Sequence, residues 1–260
     1  MLTIAILLSS ALSAGHGLSV ESVTLKLMPP VGSTYRYRAT ARTTMTGSTT
    51  RPSSTTNVES DMTMKVTARI RGVTTIETRL SNVRIIGPVG GQTDQALRSF
   101  EKQMASAVTT SKFDSHSHLL DMDGMGLEVM AQSFTYVAFP TGPVRVGHMW
   151  NSTLDISKMS GAPGGSTPES AGGSIPIHLR LDKIERHGAK TVAELSIRID
   201  GESQTELGGQ MVNLRIDSTT DAFIDATDGM PISLKSDISS TATVGDKKVS
   251  QKHILTLKRL

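Results

Sequence analysis

Two distant stretches of this chain carry the same short pattern, and this repetition constrains the fold more than any other feature. "PPVGSTYRY" begins at Pro29 and "GPVRVGHMW" begins at Gly142. In both, Val-Gly is followed three positions after the glycine by an aromatic residue, Tyr35 or Trp150. Each aromatic residue opens an alternating run, which is typical of a half-buried β-strand. The pattern therefore predicts two related strands.

A hairpin pattern follows each of these strands. Alternating apolar residues run up to and away from a glycine in both halves, Gly72 in the first and Gly188 in the second. Glycine supplies the positive φ that tight hairpin turns need. Asp-Gly-Met then occurs in each half, at Asp123 and at Asp228, and Asp-Gly is typical of a turn between strands. We interpret the chain as an internal duplication.

Each half also contains a stretch rich in Ser, Thr and Gly with few apolar residues to pack. These stretches are Thr46 to Asn57 and Ser160 to Gly173, and their composition predicts mobile loops. Two other segments, both in the first half, have helical spacing. One starts with Thr93 as a candidate N-cap, and the other contains Leu127 and is ended by Pro140.

These patterns together predict a mainly β protein with a few helices, of the α+β class. Residues 18–260 form a single domain of two repeats, 18–140 and 141–260. Each repeat is an antiparallel meander, and a meander buries one face, so two of them can bury their faces together. The expected architecture is one curved, half-open, barrel-like sheet covered by amphipathic helices.

The first residues of the chain indicate export. Residues 1–17 contain an apolar run followed by small residues, which is the outline of a secretory signal peptide, although no Lys or Arg precedes the run. No later segment is apolar for long enough to span a membrane. We therefore expect a periplasmic or extracellular protein without a transmembrane segment.

Composition excludes several classes of function. The chain has no cysteine, which rules out disulfides, thiolate catalysis and Cys-based zinc sites. The net charge is only +3 and the basic residues are dispersed, so nucleic-acid binding is not expected. None of the common hydrolase, zinc-protease or phosphate-binding motifs occurs. The sequence predicts a protein that is not an enzyme and has no cofactor.

One polar cluster has the residue types of a metal site. In "KFDSHSHLLDMDG", Asp114, His116 and His118 alternate, so on a strand they would share one face. Two imidazoles and a carboxylate can hold zinc or another divalent ion. The alternative interpretation is a solvated strand face that contains histidines by chance.

Methionines and aromatic residues concentrate around the predicted helices. Methionine adapts to irregular apolar guests and is frequent at promiscuous binding surfaces. Ordinary core packing is the alternative interpretation, since apolar helix stripes usually face a core. The candidate ligand-binding residues are Phe100, Met104, Met122, Met125, Met130 and Phe134.

The chain resembles an uncharacterised group of bacterial exported proteins. The shared motifs are a "VGxxYxY" strand start, Thr-rich loops and a late "D-x-x-G-x-P" turn, seen here as "VGSTYRY", "VGHMW" and "DATDGMP". The architecture also resembles the clamshell of periplasmic lipoprotein carriers, in which a half-open barrel with a helical lid holds acyl chains. This second resemblance implies a lipid or acyl-chain ligand and brings no catalytic residues.

We therefore expect a non-enzymatic exported envelope protein that binds a hydrophobic or amphiphilic ligand in a cleft between sheet and helices. Its expected partner is a hydrophobic small molecule or lipid, with another envelope protein as an additional candidate. Two alternatives stay open. One is a surface or assembly subunit that uses strand edges and Ser/Thr-rich loops, and the other is a metal-dependent hydrolase built on the Asp-His cluster.

Overall fold

The structure of the protein is a computed structural model. It describes residues 22–46, 53–87, 94–123, 137–155, 174–187, 190–207, 210–245 and 247–260. The predicted signal peptide and the predicted loop from Ser160 to Gly173 lie outside these ranges. Within them, no helix is long and apolar enough to cross a membrane.

The described ranges contain thirteen strands and one helix. In chain order they are β1 (Ser22–Val23), β2 (Thr34–Thr46), β3 (Ser54–Ile70), β4 (Val73–Ile86), α1 (Asp94–Ser106), β5 (Val108–Phe113), β6 (Leu119–Asp123), β7 (Val144–Arg145), β8 (Met149–Asp155), β9 (Ser174–His187), β10 (Lys190–Leu207), β11 (Gln210–Asp225), β12 (Pro231–Val244) and β13 (Lys247–Arg259).

Eleven of these strands form one antiparallel sheet, in the order β6-β5-β4-β3-β2-β13-β12-β11-β10-β9-β8. Each half of the chain is a meander, and the halves join where β2 pairs with β13. No pairing between β6 and β8 closes the sheet into a barrel among the described residues. The prediction of a mainly β fold with an open antiparallel sheet is confirmed.

Alternation in the sequence places the apolar side chains on one surface of the sheet, which we call the inner face. Tyr37 and Ala39 on β2 are fully buried, as are Ile175 on β9 and Leu195 on β10. Their sequence neighbours are mostly polar and are exposed or partly exposed. The period-two pattern of the sequence therefore predicts the inner face correctly over most of the sheet.

The sheet is strongly rolled at the end where the even-numbered strands begin, which we call the turn end. Val23 pairs with Val144, just before edge strand β8, and the Leu27 N–H donates to the carbonyl of Ser115, in the turn after β5. Even when fully extended, the chain from Val23 to Leu27 spans four residues and at most about 14 Å. In the strand order of the sheet, β8 and β5 are nine strand spacings apart. In a flat sheet this would separate the two strands by about 43 Å. The two sides of the sheet must therefore curl toward each other.

The two Val-Gly sites have the same local geometry. Gly32 and Gly147 have φ values of 86° and 84°. The Gly32 N–H donates to the Val66 carbonyl at 2.8 Å, and the Gly147 N–H donates to the Leu181 carbonyl at 2.7 Å. Tyr35 pairs with the β3 residue two positions before Val66, and Trp150 pairs with the β9 residue two positions before Leu181, so the two registers are the same. The repeated sequence thus forms the same strand start twice.

A second correspondence was not predicted from the sequence. The β3–β4 pairing skips Thr67 and the β9–β10 pairing skips Asp182, so both hairpins carry a β-bulge one residue beyond the matched Val66 and Leu181. A bulge leaves one residue unpaired and bends the strand. In the first half it also reverses the alternation, which leaves Ile70 exposed although it continues the alternating apolar run that leads to Gly72.

The predicted equivalence of the two Asp-Gly-Met motifs is wrong. Asp228 and Gly229 do lie in the turn between β11 and β12, but Asp123 is the last residue of β6. The turn in the corresponding place of the first half, between β5 and β6, starts at Asp114. The shared motif misled because Asp-Gly is a common local signal that carries no information about strand order.

The helical predictions are met only in part. Helix α1 forms, and its residue Met104 packs against the core. Most of the second predicted helix and the predicted N-cap Thr93 lie outside the described residues, while Val137 and Ala138 are not helical. The first predicted loop is shorter than expected, because β3 already begins at Ser54.

Candidate functional site

Two extended segments cover the inner face at the turn end. The N-terminal crossing segment is residues 24–30 and the middle crossing segment is residues 137–143. Leu27 on the first, with Val137 and Phe139 on the second, is at most 5 % exposed. These side chains fill space that a second layer of secondary structure would fill in most domains.

A small apolar cavity lies beneath these segments. Its volume is about 20 Å³. The lining residues are Leu27, Met64, Ile76, Phe113, Ser117, Val137, Phe139, Ile224, Gly229, Met230 and Pro231. They come from both halves of the sheet and from both crossing segments, so the cavity lies where the two halves and these segments meet.

Among the described residues, few backbone hydrogen bonds attach the crossing segments to the turns. The Leu27 N–H donates to the Ser115 carbonyl at 2.9 Å, and the Met28 N–H donates to the Asp228 carbonyl at 2.8 Å. The Phe139 N–H donates to the His116 carbonyl at 2.8 Å. The crossing segments are thus attached mainly by their buried apolar side chains.

The turn between β5 and β6 is organised by Asp114. Its carboxylate accepts hydrogen bonds from the backbone N–H groups of His116 and His118, at 2.8 and 2.9 Å. It also lies 2.9 Å from Nδ1 of His118. Partial burial would raise the pKa of the Asp114 carboxyl, but the hydrogen bonds and charge from His118, with the His116 N–H, hold it below its usual value.

This geometry corrects the predicted strand placement of Asp114, His116 and His118. Strand β5 ends at Phe113, so the three residues lie in a turn and do not share a strand face. Among the residues that the structure describes, no group of three His, Cys, Asp or Glu side chains could hold a metal ion. Asp114 serves here as a turn anchor.

A second polar network joins the end of the chain to the turn between β11 and β12. Arg259 donates hydrogen bonds to the carbonyls of Pro231 and Met230, at 3.0 and 3.1 Å, and lies 3.6 Å from the buried carboxylate of Asp225. Its guanidinium also stacks over the Tyr35 ring, 4.9 Å from the centroid.

Tyr35 completes this network. Its hydroxyl donates to the Asp228 carboxylate at 2.8 Å. Burial raises the pKa of Tyr35 to about 12, and the hydrogen bond to Asp228 acts in the same direction. Trp150, its counterpart in the second half, donates from Nε1 to the Ala138 carbonyl at 2.8 Å. Both aromatic side chains of the repeated motif therefore fix parts of the turn end.

The predicted ligand-binding residues do not converge on this cavity. Phe100 is 46 % exposed on α1, and Met104 and Met122 are half-buried, but none of the three lines the cavity. The remaining three, Met125, Met130 and Phe134, lie outside the described residues.

Sequence reasoning missed the residues that do line the cavity. Leu27 ends an alternating run with Val23 and Leu25, and Phe139 lies at the end of the segment predicted to be the second helix, so neither pattern indicates that these residues line a cavity. Met230 follows an Asp-Gly turn signal and gives no sign that its side chain is buried. These residues meet only because the sheet rolls, and that roll leaves no local pattern in the sequence.

No protein-family model and no curated protein matches the sequence. The fold is similar to that of a solved structure described as "lipid-protein interactions in lipovitellin", with a TM-score of 0.53 and 10% sequence identity. The similarity covers 89% of this chain and 25% of that one, so this chain spans about a quarter of the matched structure's length. The match shows a shared fold, a large and open antiparallel sheet.

Proposed function

We propose that this chain is a non-enzymatic, exported envelope protein that binds a hydrophobic or amphiphilic molecule, such as a lipid or a lipoprotein acyl chain. The ligand would lie on the inner face at the turn end. One observation carries the proposal: extended segments with few backbone hydrogen bonds cover an apolar cavity there. Concave sites lined mainly by apolar side chains are typical of ligand binding.

In the structure described here, the crossing segments occupy the space that a ligand would take. A volume of about 20 Å³ is enough for roughly one water molecule. An acyl chain therefore has to displace Leu27 or Phe139. The free energy of this exchange is close to zero, because the apolar contact area that these side chains lose is replaced by contact with the ligand. Each Å² of apolar area contributes roughly 25 cal/mol in both arrangements.

The comparison with solved structures supports this class of ligand. The structure of similar fold is described by its lipid–protein interactions in lipovitellin. A shared fold does not by itself transfer a function. It does agree with an apolar inner face that a lipid can contact.

Substitution of Leu27 by Ala tests the proposal. The substitution removes a side chain that occupies the proposed ligand position, so the fluorescence titration of a labelled fatty acid should show tighter binding than in the unmodified protein. The same variant should lose about 2–5 kcal/mol of unfolding free energy, as buried Leu-to-Ala changes do. Damage to the fold alone would weaken binding.

Leu257→Ala is the matched control. Leu257 is as buried as Leu27, on the inner face of β13, but it does not line the cavity. It should lose comparable stability without any gain in fatty-acid affinity. The proposal fails if neither protein binds the labelled fatty acid, or if Leu257→Ala gains as much affinity as Leu27→Ala.

A second candidate function, an assembly subunit, is favoured by the two edges of the sheet. Within the described residues, edge strands β6 and β8 each lack a partner on one side. Unpaired strand edges can add strands from other chains. Light scattering across a concentration series would detect such an assembly as a mass that increases with concentration.

A further inference from the structure

The exposed apolar side chains are concentrated at the turn end of the sheet. The described residues include ten large apolar side chains that are exposed, and seven of them are at this end. The seven are Met28, Val31, Ile70, Leu120, Val146, Met149 and Leu260. Scattered single residues of this kind need no explanation, but a concentration at one end indicates an interaction surface.

Basic residues stand beside these apolar side chains in the sequence. Ile70 is flanked by Arg69 and Arg71, Val146 follows Arg145, and Met28 lies two residues after Lys26. The side chains of these four basic residues are exposed. In the described part of the chain, Lys26, Arg71 and Arg145 form no ion pair, and Arg69 donates only to the Met28 carbonyl.

The carboxylates of the neighbouring turns do not neutralise this surface. Asp225 is paired with the Arg259 guanidinium, and the two other carboxylates, Asp114 and Asp228, are held in their own turns by hydrogen bonds with His118 and the Tyr35 hydroxyl and are outnumbered by the four exposed basic residues. Exposed cations interleaved with exposed aliphatic side chains match an anionic bilayer, whose headgroups attract the cations while the aliphatic groups enter the interface. A nucleic acid would leave the aliphatic side chains exposed.

We propose that the turn end, marked by Met28, Ile70, Val146 and the adjacent basic residues, docks the protein on an anionic lipid bilayer. This surface adjoins the cavity, since both include the crossing segment of residues 24–30. The inference does not depend on ligand binding, because docking requires only the exposed residues.

Vesicle co-flotation tests the docking surface. The full chain should float with vesicles of phosphatidylcholine and phosphatidylglycerol, should not float with phosphatidylcholine alone, and should be released by high salt. The triple variant Ile70→Ser, Arg71→Asn, Arg145→Gln should lose at least about 25-fold in affinity, since each cation near an anionic surface contributes roughly five-fold. Asn suits position 71, where φ is 50°.

Ile86→Ser with Lys248→Gln is the matched control, because both residues are exposed at the opposite end of the sheet. This variant should bind as the unmodified protein does. Equal loss in the control, or equal binding to neutral vesicles, would overturn the proposal. The absence of vesicle binding would also overturn it. The same holds if the unmodified protein is a dimer and the triple variant is a monomer.

Trp150 provides a second measurement on the unmodified protein. It is the single tryptophan and lies at the turn end, one residue after the exposed Met149. Brominated lipids should quench its fluorescence in anionic vesicles. Binding without quenching would assign contact to another face. Binding to soluble polyglutamate that is tighter than binding to the anionic vesicles would assign the cations to an acidic protein partner and contradict the bilayer assignment.

Discussion

Gly229 shows at the scale of single residues how closely the N-terminal crossing segment packs against the sheet. Its φ is 76°, and a Cβ atom at this position would lie 2.2 Å from the Lys26 carbonyl oxygen. Glycine is needed here both for the backbone conformation and for the close approach of another chain segment.

Gly229→Ala should therefore destabilise the fold for two reasons. The left-handed conformation costs a residue with a Cβ about 1–2 kcal/mol, and the clash with the crossing segment adds roughly 1–3 kcal/mol. Gly72→Ala is the control, since Gly72 has φ 81° but nothing within 4 Å of its Cβ position. Urea unfolding should give Gly229→Ala a clearly lower unfolding free energy than Gly72→Ala. Equal losses of unfolding free energy would contradict this close packing.

Asp114 gives a pH-dependent prediction. Its pKa is lowered in the folded state, so the stability it contributes is fully present above its ordinary pKa of about 3.9. That contribution is lost as the pH falls through the folded-state pKa. Asp114→Asn should therefore be less stable than the unmodified protein at neutral pH, and the difference should shrink in acid. A stability difference between the two proteins that is constant with pH would show that the charge of Asp114 does not contribute to stability.

At the scale of strands and turns, alternation predicted most of the inner face, as at Tyr37, Ile175 and Leu195. The bulge at Thr67 could not be predicted, because Thr is an ordinary strand residue and the bulge is imposed by the pairing of β3 with β4. The metal-site prediction failed in its strand placement for a related reason. Asp114 favours a turn through its own side-chain hydrogen bonds, which alternation does not register.

Arg259 connects three elements of the turn end: β13, the turn between β11 and β12, and β2. Arg259→Met should lower the unfolding free energy by about 3–5 kcal/mol, because it leaves the Asp225 carboxylate buried without its cation. Arg38→Met is the comparison, since Arg38 pairs with Asp61 at the exposed surface, where such pairs contribute about 0–1 kcal/mol. Thermal unfolding of both variants measures the contrast, and similar losses would mean that Asp225 does not depend on Arg259.

For the molecule as a whole, the sequence predicted two meanders in one curved, half-open sheet, but not the contacts at the turn end that create the cavity. The roll depends on contacts between residues far apart in sequence, such as Leu27 with the turn after β5. Of the predicted helical cover, α1 forms and Met104 packs against the core, most of the second predicted helix lies outside the described residues, and at the turn end residues 24–30 and 137–143 cover the inner face. The repeat boundaries at 140 and 141, the exported location and the absence of enzymatic activity stay predictions.

Photo-cross-linking with a diazirine-bearing fatty acid tests the central claim most directly, that the inner face at the turn end binds a hydrophobic molecule. After illumination and proteolysis, mass spectrometry should find the label on peptides that contain Leu27, Phe139 or Met230, and unlabelled oleate should compete it away. Label confined to the edge strands β6 and β8, or label that oleate does not reduce, would contradict the claim.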